Sequence, residues 1–479
     1  MSEGIGAELR GIDLGDQRLN KSSERVLERL AANCEVSVNA AMNGWAETQA
    51  AYRLFDNPLV TPEKILTPHF AATLRRVAGQ AMVIVIQDSS ALNFSDHPAD
   101  DQQCLCDPTQ LGFYEHPNLV LTPDGLPLGL VALEFFDRSA ESLIRKRERK
   151  KNGEPKERRT HDPIETKESY RWFRGFQAAG ELARKCPETI VVSAADREAD
   201  IYDIFVEAME ARQTTPNLHL VIRAYEDRST LELDLSKSRR TYHKVRDVVA
   251  MSPVRMTREV ALPATAKRSA RRAIVEVRAL EVQIKPPNAR PHLPTVTLNV
   301  VLVEEVNCPE PSTAISWLLV TTMPIATPGD LLSVLDTYSQ RWGVEIFFHV
   351  LKSGCRVEEL RLETKSRQQN CLAFYNIIAW RILYLTYLNR ECPQMSCEGV
   401  FADHEWKPVW RVVTKKPLPP NPPTMKEFMK LLAQLGGYNN RPKEAPAGPL
   451  PIWIGMRRML DYSVAWLAFG PGAERPHDT

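Results

Sequence analysis

The 479-residue sequence lacks an excess of charge of either sign: 61 Lys and Arg side chains stand against 60 Asp and Glu. Net charge therefore excludes no class of partner, and its distribution has to carry that argument. A disulfide framework is also missing. Nine cysteines are an odd number scattered without a Cys-x-x-Cys pair, and Cys104-x-Cys106 and Cys392-x4-Cys397 do not have the four-ligand spacing of structural zinc, so free thiols are expected. No uninterrupted apolar run reaches the ~18–20 residues that cross a bilayer. The opening Met1-Ser2-Glu3-Gly4-Ile5-Gly6 does not have the basic-then-apolar layout of a secretory signal. The expectation is a soluble intracellular protein with no membrane partner. No internal repeat at a fixed period is present. With 43% apolar residues wholesale disorder is excluded, and the length implies about two to four structural units.

Basic residues, by contrast, are clustered. Arg145 to Arg159 is one patch, Lys237, Arg239, Arg240, His243, Lys244 and Arg246 a second, and Lys267, Arg268, Arg271 and Arg272 a third. Any one patch reads as solvated loop; several in a chain without net charge point to a face kept positive, for which a phosphate backbone is the commonest partner. Residues 14–76 read as helical, with Leu14-Gly15-Asp16 opening one amphipathic run and Asn57-Pro58 stopping a second around Ala46–Phe55. Strand character begins at Ala81. Apolar runs at Met82–Ile86, Leu128–Phe135, Thr189–Ser193 and Leu218–Ile222, with the helix-like Ala199–Arg212 between the last two, predict a mixed α/β sheet.

Segments Arg258–Leu262, Ala273–Val282, Val296–Val303 and Ile315–Thr321 then predict a β-rich insertion over about 230–322. The pattern returns to helix after Pro328-Gly329, to about Leu362 and again from Asn370 to Leu388. Lys415–Thr424 is too rich in proline for helix. The boundaries this implies are a helical unit at 1–76, an α/β core at 77–388, a linker at 389–424 and a helical C-terminal unit at 425–479.

Two aspartates stand where α/β folds place their chemistry, at the ends of buried-looking strands: Asp88 after Ile84-Val85-Ile86-Gln87, and Asp196 after Ile190–Ala195. Either alone reads equally well as a helix cap or turn. Adjacent carboxylates repel unless a cation or a proton is shared between them, which makes the pair more telling. Tyr338, Arg341, Glu345 and Lys352 follow at i, i+3, i+7 and i+14, and at about 3.6 residues per turn they share one helical stripe within a ~60° arc. Leu335, Trp342 and Ile346 flank that arc, so the stripe is expected to border a buried face. The plain alternative is pairing along a helix surface. Two Asp and one Glu supply the hard oxygen ligands that suit Mg²⁺, and a pair of such ions can activate an attacking hydroxyl and stabilise a departing oxygen in phosphoryl transfer. Tyr, Arg and Lys on the stripe would hold the neighbouring phosphates.

At these residues the sequence resembles the transposases of the insertion-sequence-4 (Tn5) group. Tyr338-x2-Arg341-x3-Glu345-x6-Lys352 resembles the helix signature of that family, Asp196-Arg197-Glu198-Ala199-Asp200 its second aspartate block, and Ile86-Gln87-Asp88-Ser89-Ser90 its first. Leu14-Gly15-Asp16 and Tyr52-Arg53 with Asn57-Pro58 resemble the start and end of its DNA-binding domain. Leu435-Gly436-Gly437 and Trp453-Ile454-Gly455 are similar to its dimerisation domain, and Ser316-Trp317-Leu318-Leu319 to the site of a tryptophan that stacks on a base flipped from the duplex.

The resemblance implies a ribonuclease-H-like core with a β-rich insertion between helical N- and C-terminal domains. Asp88, Asp196 and Glu345 would be catalytic metal ligands for two Mg²⁺, for which Mn²⁺ can substitute. Tyr338, Arg341, Lys352, Trp317, Arg53 and Arg223 would contact DNA. It implies a homodimer on double-stranded transposon ends, cleavage through a DNA hairpin, joining to target DNA, and a bacterial cytoplasmic location at the nucleoid. By residue chemistry alone Trp317 is also readable as strand core, and Glu165 and Glu168 as a solvated helix start. Two other functions stay open: a catalytically silent DNA-binding derivative, and a metal-dependent nuclease without strand transfer.

Overall fold

The computed structural model describes residues 4–107, 109–138, 152, 163–233, 242–262, 271–308, 313–439, 441 and 447–471. The basic residues of the Arg145–Arg159 cluster, and Lys237, Arg239, Arg240, Lys267 and Arg268, lie outside the described residues. The chain begins with a short 3-10 turn, Ile5–Leu9, and four helices: α1 Gln17–Ala32, α2 Val38–Ala41, α3 Trp45–Asp56 and α4 Pro62–Val77. Side chains of Asp16, Ser37 and Thr61 cap the free amides that open α1, α2 and α4. Gly15, at φ +81°, makes the turn into α1 that a Cβ would disfavour.

One mixed sheet forms the centre. Its first strands are β1 Met82–Gln87, β2 Ser90–Asn93, β3 Gln103–Cys104, β4 Leu111–Leu121 and β5 Pro127–Phe136; then come α5 Tyr170–Lys185, β6 Ile190–Ala195, α6 Tyr202–Thr214 and β7 Leu218–Arg223. β4 runs antiparallel to β1, β2 and β5, whereas β1, β6 and β7 are mutually parallel. β1 is apolar on successive residues because both faces are covered. Ile84 and Ile86 pack toward the C-terminal helices, Val83 and Val85 toward Trp172 and Phe176 of α5. This is the ribonuclease-H-like mixed sheet the sequence led us to expect.

The β-rich segment comprises β8 Ser229–Leu233, β9 Tyr242–Lys244, α7 Val245–Ala250, β10 Met256–Leu262, β11 Arg271–Ile284, β12 Val296–Val306 and β13 Ser316–Thr321. It widens the same sheet: β13 bonds to the edge of β7 through Leu319↔Arg223 and Val320↔Ile222, and β12 and β11 follow outward.

Helices close the fold: α8 Pro328–Ser339, a 3-10 turn Gln340–Trp342, α9 Gly343–His349 and a π turn Val350–Gly354 run end to end, followed by α10 Lys365–Glu391, α11 Asp403–Thr414, α12 Met425–Leu435 and α13 Pro449–Phe469. α10 is long and apolar enough to cross a membrane, but 83% of its most apolar stretch is buried within this fold, the mark of a core helix that is hydrophobic all round. The expectation of a linker over 389–424 is corrected. α11 lies within it and places Trp406 and Val409 in one core with Phe428, Met429 and Leu432. Lys415–Thr424 stays non-helical, as its prolines require.

Two buried acids show how the layers are joined. Glu8 accepts from His69 Nδ1 (2.7 Å) and Arg76 (2.9 Å), while the amide of Leu130 in β5 donates to His69 Nε2 (3.1 Å). Burial opposes the Glu8 charge, but His69 and Arg76 outweigh it and hold its pKa at about 2. Glu115, at the centre of β4, has far less support. Asn376 of α10 donates to one oxygen at 3.3 Å, and the other has no hydrogen-bond partner. Burial pushes its pKa up to about 7 from 4.5.

The folded protein thus holds the Glu115 proton more tightly than the unfolded chain. The contribution of this group to stability is complete below about pH 4.5 and is lost as pH rises through about 7. Glu115→Gln, neutral throughout, is expected to match wild type at pH 4.5 and to be more stable at pH 8 by an amount on the order of 3 kcal/mol. Thermal unfolding of both proteins across that range checks it; a constant gap between their melting temperatures would refute it.

Candidate active site at the strand ends

Strand register lines up the polar residues the sequence singled out. β1 and β6 pair in parallel with Ile84↔Val192 and Ile86↔Ala194. Continued past the strand ends, that register sets Asp88 opposite Asp196. β6 and β7 pair with Ala195↔Ile222, so the next step sets Asp196 opposite Arg223, which is itself paired with Leu319 of β13. Neighbouring strands are about 4.8 Å apart. Asp88, Asp196 and Arg223 therefore form one row along the ends of β1, β6 and β7. Trp317 sits two residues before Leu319 at the start of the next strand.

The helical run from Pro328 crosses this row. Arg341, buried in the 3-10 turn, donates to Asp88 Oδ2 (3.3 Å) and to Glu345 Oε1 (2.9 Å). All three acids thus meet in one electrostatic neighbourhood. The Asp88 carboxyl is pushed up to about 6, first by burial and then by the charge of Asp196, with Glu345 adding to it; the Ser89 amide and Arg341 pull the other way. Burial lowers the Arg341 pKa, but the hydrogen bond to Glu345 and the nearby Tyr338 and Asp88 outweigh it and leave it raised. Arg223 is shifted down by burial and by the positive charges of Arg197 and Arg341, against its contact with the Tyr338 hydroxyl.

Tyr338 is buried and meets Trp317 edge to face, with centroids 5.4 Å apart. Trp317 in turn lines a cavity of about 250 Å³ with Leu335, Ser339, Arg258 and Glu259. Lys352 is displaced from the acids. It lies in the π turn, where its ammonium hydrogen-bonds the Ala91 carbonyl and stands 3.7 Å from Glu358. The expected stripe thus continues from Tyr338 to Glu345 and departs at Lys352. Arg53 is exposed in the last turn of α3, on another part of the molecule. Trp342 was expected beside a buried face and is 54% exposed, with the Arg341 guanidinium 4.9 Å from its ring centroid.

Other residues of the Asp196–Asp200 block have a structural task. The Asp196 side chain accepts from the Glu198 amide (2.8 Å). Asp200 accepts from the amides of Tyr225 and Glu226 (both 2.8 Å) and from Arg228 (2.7 Å), which ties this turn to the exit of β7. Sequence reasoning missed Arg171. It is buried beside both aspartate-bearing turns and lies two residues after the Glu165–Ser169 block, of which only the glutamates were taken up, as a solvated helix start. Glu168 itself is largely exposed and pairs with Arg138 at 3.3 Å.

Among the described residues no three His, Cys, Asp or Glu side chains form a ready-made metal cage. The donor set nevertheless suits a hard divalent ion: carboxylate oxygens only, on adjacent rigid elements, with burial and then mutual repulsion raising Asp88. At present the Arg341 guanidinium neutralises part of that charge.

Three family models match successive parts of the chain. Residues 2–60 match the family model described as transposase DNA-binding, residues 144–381 the transposase DDE domain, and residues 377–465 the transposase Tn5 dimerisation domain. The DDE match includes Asp196 and Glu345 but begins after Asp88, whose place in the site stands on the β1–β6 register. With a DNA-binding domain, a DDE core and a dimerisation domain in that order, the chain belongs to the Tn5-like DDE transposases of the insertion-sequence-4 family.

Proposed function

We propose that this transposase binds the inverted-repeat ends of a mobile element as a homodimer, cuts them through a hairpin intermediate and joins the 3′ ends to target DNA. The observation that carries the reading is the meeting of Asp88 and Glu345 on Arg341, with Asp196 beside Asp88 and Arg223 next along the strand ends, and the Tyr338–Trp317 pair adjoining them. The three acids would hold Mg²⁺ ions, or Mn²⁺ in their place, and metal bound there would supply activation of the attacking oxygen and charge stabilisation of the leaving one. Arg341 and Arg223 offer fixed positive charge to the phosphates beside the scissile bond. Lys352 and Arg53 would meet the DNA backbone farther out.

Hairpin formation needs a sharply bent strand, and the Trp317–Tyr338 pair with its adjoining cavity offers a place for an unstacked base. Stacking of a base on an aromatic ring is worth about 1–3 kcal/mol, which offsets the cost of extrusion. The Arg341–Asp88–Glu345 cluster favours an active enzyme over a silent binder, because a half-buried Asp88 raised by two neighbouring acids is costly to keep without a cation to serve.

Asp88→Asn, Asp196→Asn and Glu345→Gln are each expected to lower Mg²⁺-dependent cleavage of end-containing DNA by about 10³-fold or more while end binding persists. Denaturing gels and gel retardation measure the two; full cleavage in all three variants would refute the assignment. Trp317→Ala is expected to spare the first nick and to slow hairpin formation by about 10- to 100-fold. A mismatched base at the extruded position, already unstacked, should restore part of the rate. Equal loss of nicking and hairpin would instead make Trp317 a packing residue.

A further inference from the structure

Behind the two aspartates lies a largely buried polar chain, ending at the exposed Glu198, that the chemistry above does not use. Arg171, near the start of α5 and almost wholly buried, donates from Nε to Ser89 Oγ (2.7 Å), from Nη2 to Glu198 Oε2 (2.9 Å) and from Nη1 to the Glu168 carbonyl (2.6 Å). Ser89 adjoins Asp88, and Glu198 lies two residues after Asp196. Ser89 Oγ is 2.9 Å from His116 Nδ1, His116 Nε2 is 3.1 Å from Gln87 Oε1, and Gln87 Nε2 donates to Ser193 Oγ at 3.3 Å.

The donors in this chain have one consistent order. Burial and the charges of Arg171 and Arg174 push the His116 pKa down to about 3, so at neutral pH the ring carries a single N–H. That hydrogen goes to Gln87, and Nδ1 is left to accept the Ser89 hydroxyl hydrogen; Ser89 in turn accepts from Arg171. The chain passes from α5 through the Asp88 turn, β4 and β1 to β6, the strand that leads to Asp196. Gly175 of α5 is part of the design: its carbonyl accepts from Asn118 (3.1 Å), and a Cβ there would overlap the Gln87 side-chain amide. The Arg171 guanidinium also lies over the rings of Phe136 and Trp172, 4.7 and 5.8 Å from their centroids. Three hydrogen-bond acceptors and two rings thus hold the guanidinium in place.

We propose that Arg171 is a positioning residue that fixes the Asp88 and Asp196 turns relative to each other, so that two like-charged carboxylates are presented together to a divalent cation. Arg171 touches neither carboxylate; it acts through Ser89 and Glu198. The inference rests on the metal-dependent reading of the site. Without the brace the turns are free to move apart and relieve the repulsion between Asp88 and Asp196, which lowers affinity for the ion that would otherwise relieve it. Outer-shell partners of this kind alter metal affinity or activity by about 10- to 100-fold.

The test uses the full chain with Mn²⁺ as the probe. Half-saturation is read directly by electron paramagnetic resonance, alongside Mg²⁺ titration of end cleavage, DNA retardation and thermal unfolding. Arg171→Ala is expected to raise the half-saturating Mn²⁺ and Mg²⁺ concentrations by about 10- to 100-fold with DNA retardation unchanged. Arg171→Lys keeps the charge but cannot fork to two partners, and should recover only part. Ser89→Ala, a smaller change that keeps the guanidinium buried, should shift both titrations in the same direction and decides the matter if Arg171→Ala does not fold. A lowered melting temperature with unaltered metal titrations would overturn the proposal and leave Arg171 a stability residue. A wild-type chain that binds no Mn²⁺ and cleaves nothing would overturn the metal reading and the brace with it, a result distinct from any variant-specific change.

Discussion

Two carboxylates on adjacent parallel strands in matching register are the constraint around which this molecule is arranged. The sheet leaves no freedom at β1 and β6: the residues from Met82↔Ile190 to Ile86↔Ala194 are hydrogen-bonded in place, and both faces are packed with apolar side chains. Asp88 and Asp196 emerge from this rigid floor beside each other, with Asp88 half-buried. Like charges so placed cannot both ionise cheaply, and the Asp88 pKa, raised to about 6 first by burial and then by the charge of Asp196, expresses both costs. A structure that merely needed stability would replace one of them. Their retention makes sense where a cation is part of the working state.

The helical run that carries Glu345 is shaped to serve the same place. A continuous α-helix would put Tyr338, Arg341, Glu345 and Lys352 on one stripe. Instead a tighter 3-10 turn spans Gln340–Trp342 and a wider π turn spans Val350–Gly354. Such departures are frequent at functional positions. The first carries Arg341 to Asp88 while Trp342 faces solvent; the second leaves Lys352 against Ala91, three residues beyond Asp88. Where Lys352 lies relative to the acids is therefore set by local helix winding as well as by the interval in the sequence.

Much of this was legible beforehand, because the signals were strong and local. Val83–Ile86 and Val191–Val192 are apolar without interruption, as strands covered on both faces must be, and the polar stripe ending at Lys352 stood out for its spacing. What could not be read was what depends on tertiary partners. β4 was missed because Pro117, Glu115 and His116 break its apolar run, although each is buried by the strands and helices around it. α5 was missed because three arginines and two glycines dilute its pattern; Arg171 and Gly175 are there for Gln87, Ser89 and Asn118, residues more than 50 positions away. The segment at 389–424 read as linker because its prolines dominate, yet Trp406 and Val409 anchor it. Trp342 misled in the opposite sense, since a large apolar side chain inside a functional motif need not be core.

The same long-range dependence joins the terminal helices to the catalytic sheet. Asn370 of α10 donates to the carbonyls of Phe55 (2.9 Å) and Val60 (3.1 Å) at the end of α3, and Arg367 pairs with Asp56 at 2.9 Å. Glu8 is held by α4 beneath β5. From the other end of the chain, Trp453 of α13 packs into the core that contains Leu27 and Leu30 of α1 and Leu351 of the π turn, and Arg457 pairs with Glu35. Buried amide-to-carbonyl bonds of this kind are costly to break, since each would leave a desolvated group unpaired. The N-terminal helices are therefore not beads on a tether. Their orientation relative to Asp88, Asp196 and Glu345 is fixed by α10, so DNA held by one part of the protein would meet the acids of the other at a distance set by the fold.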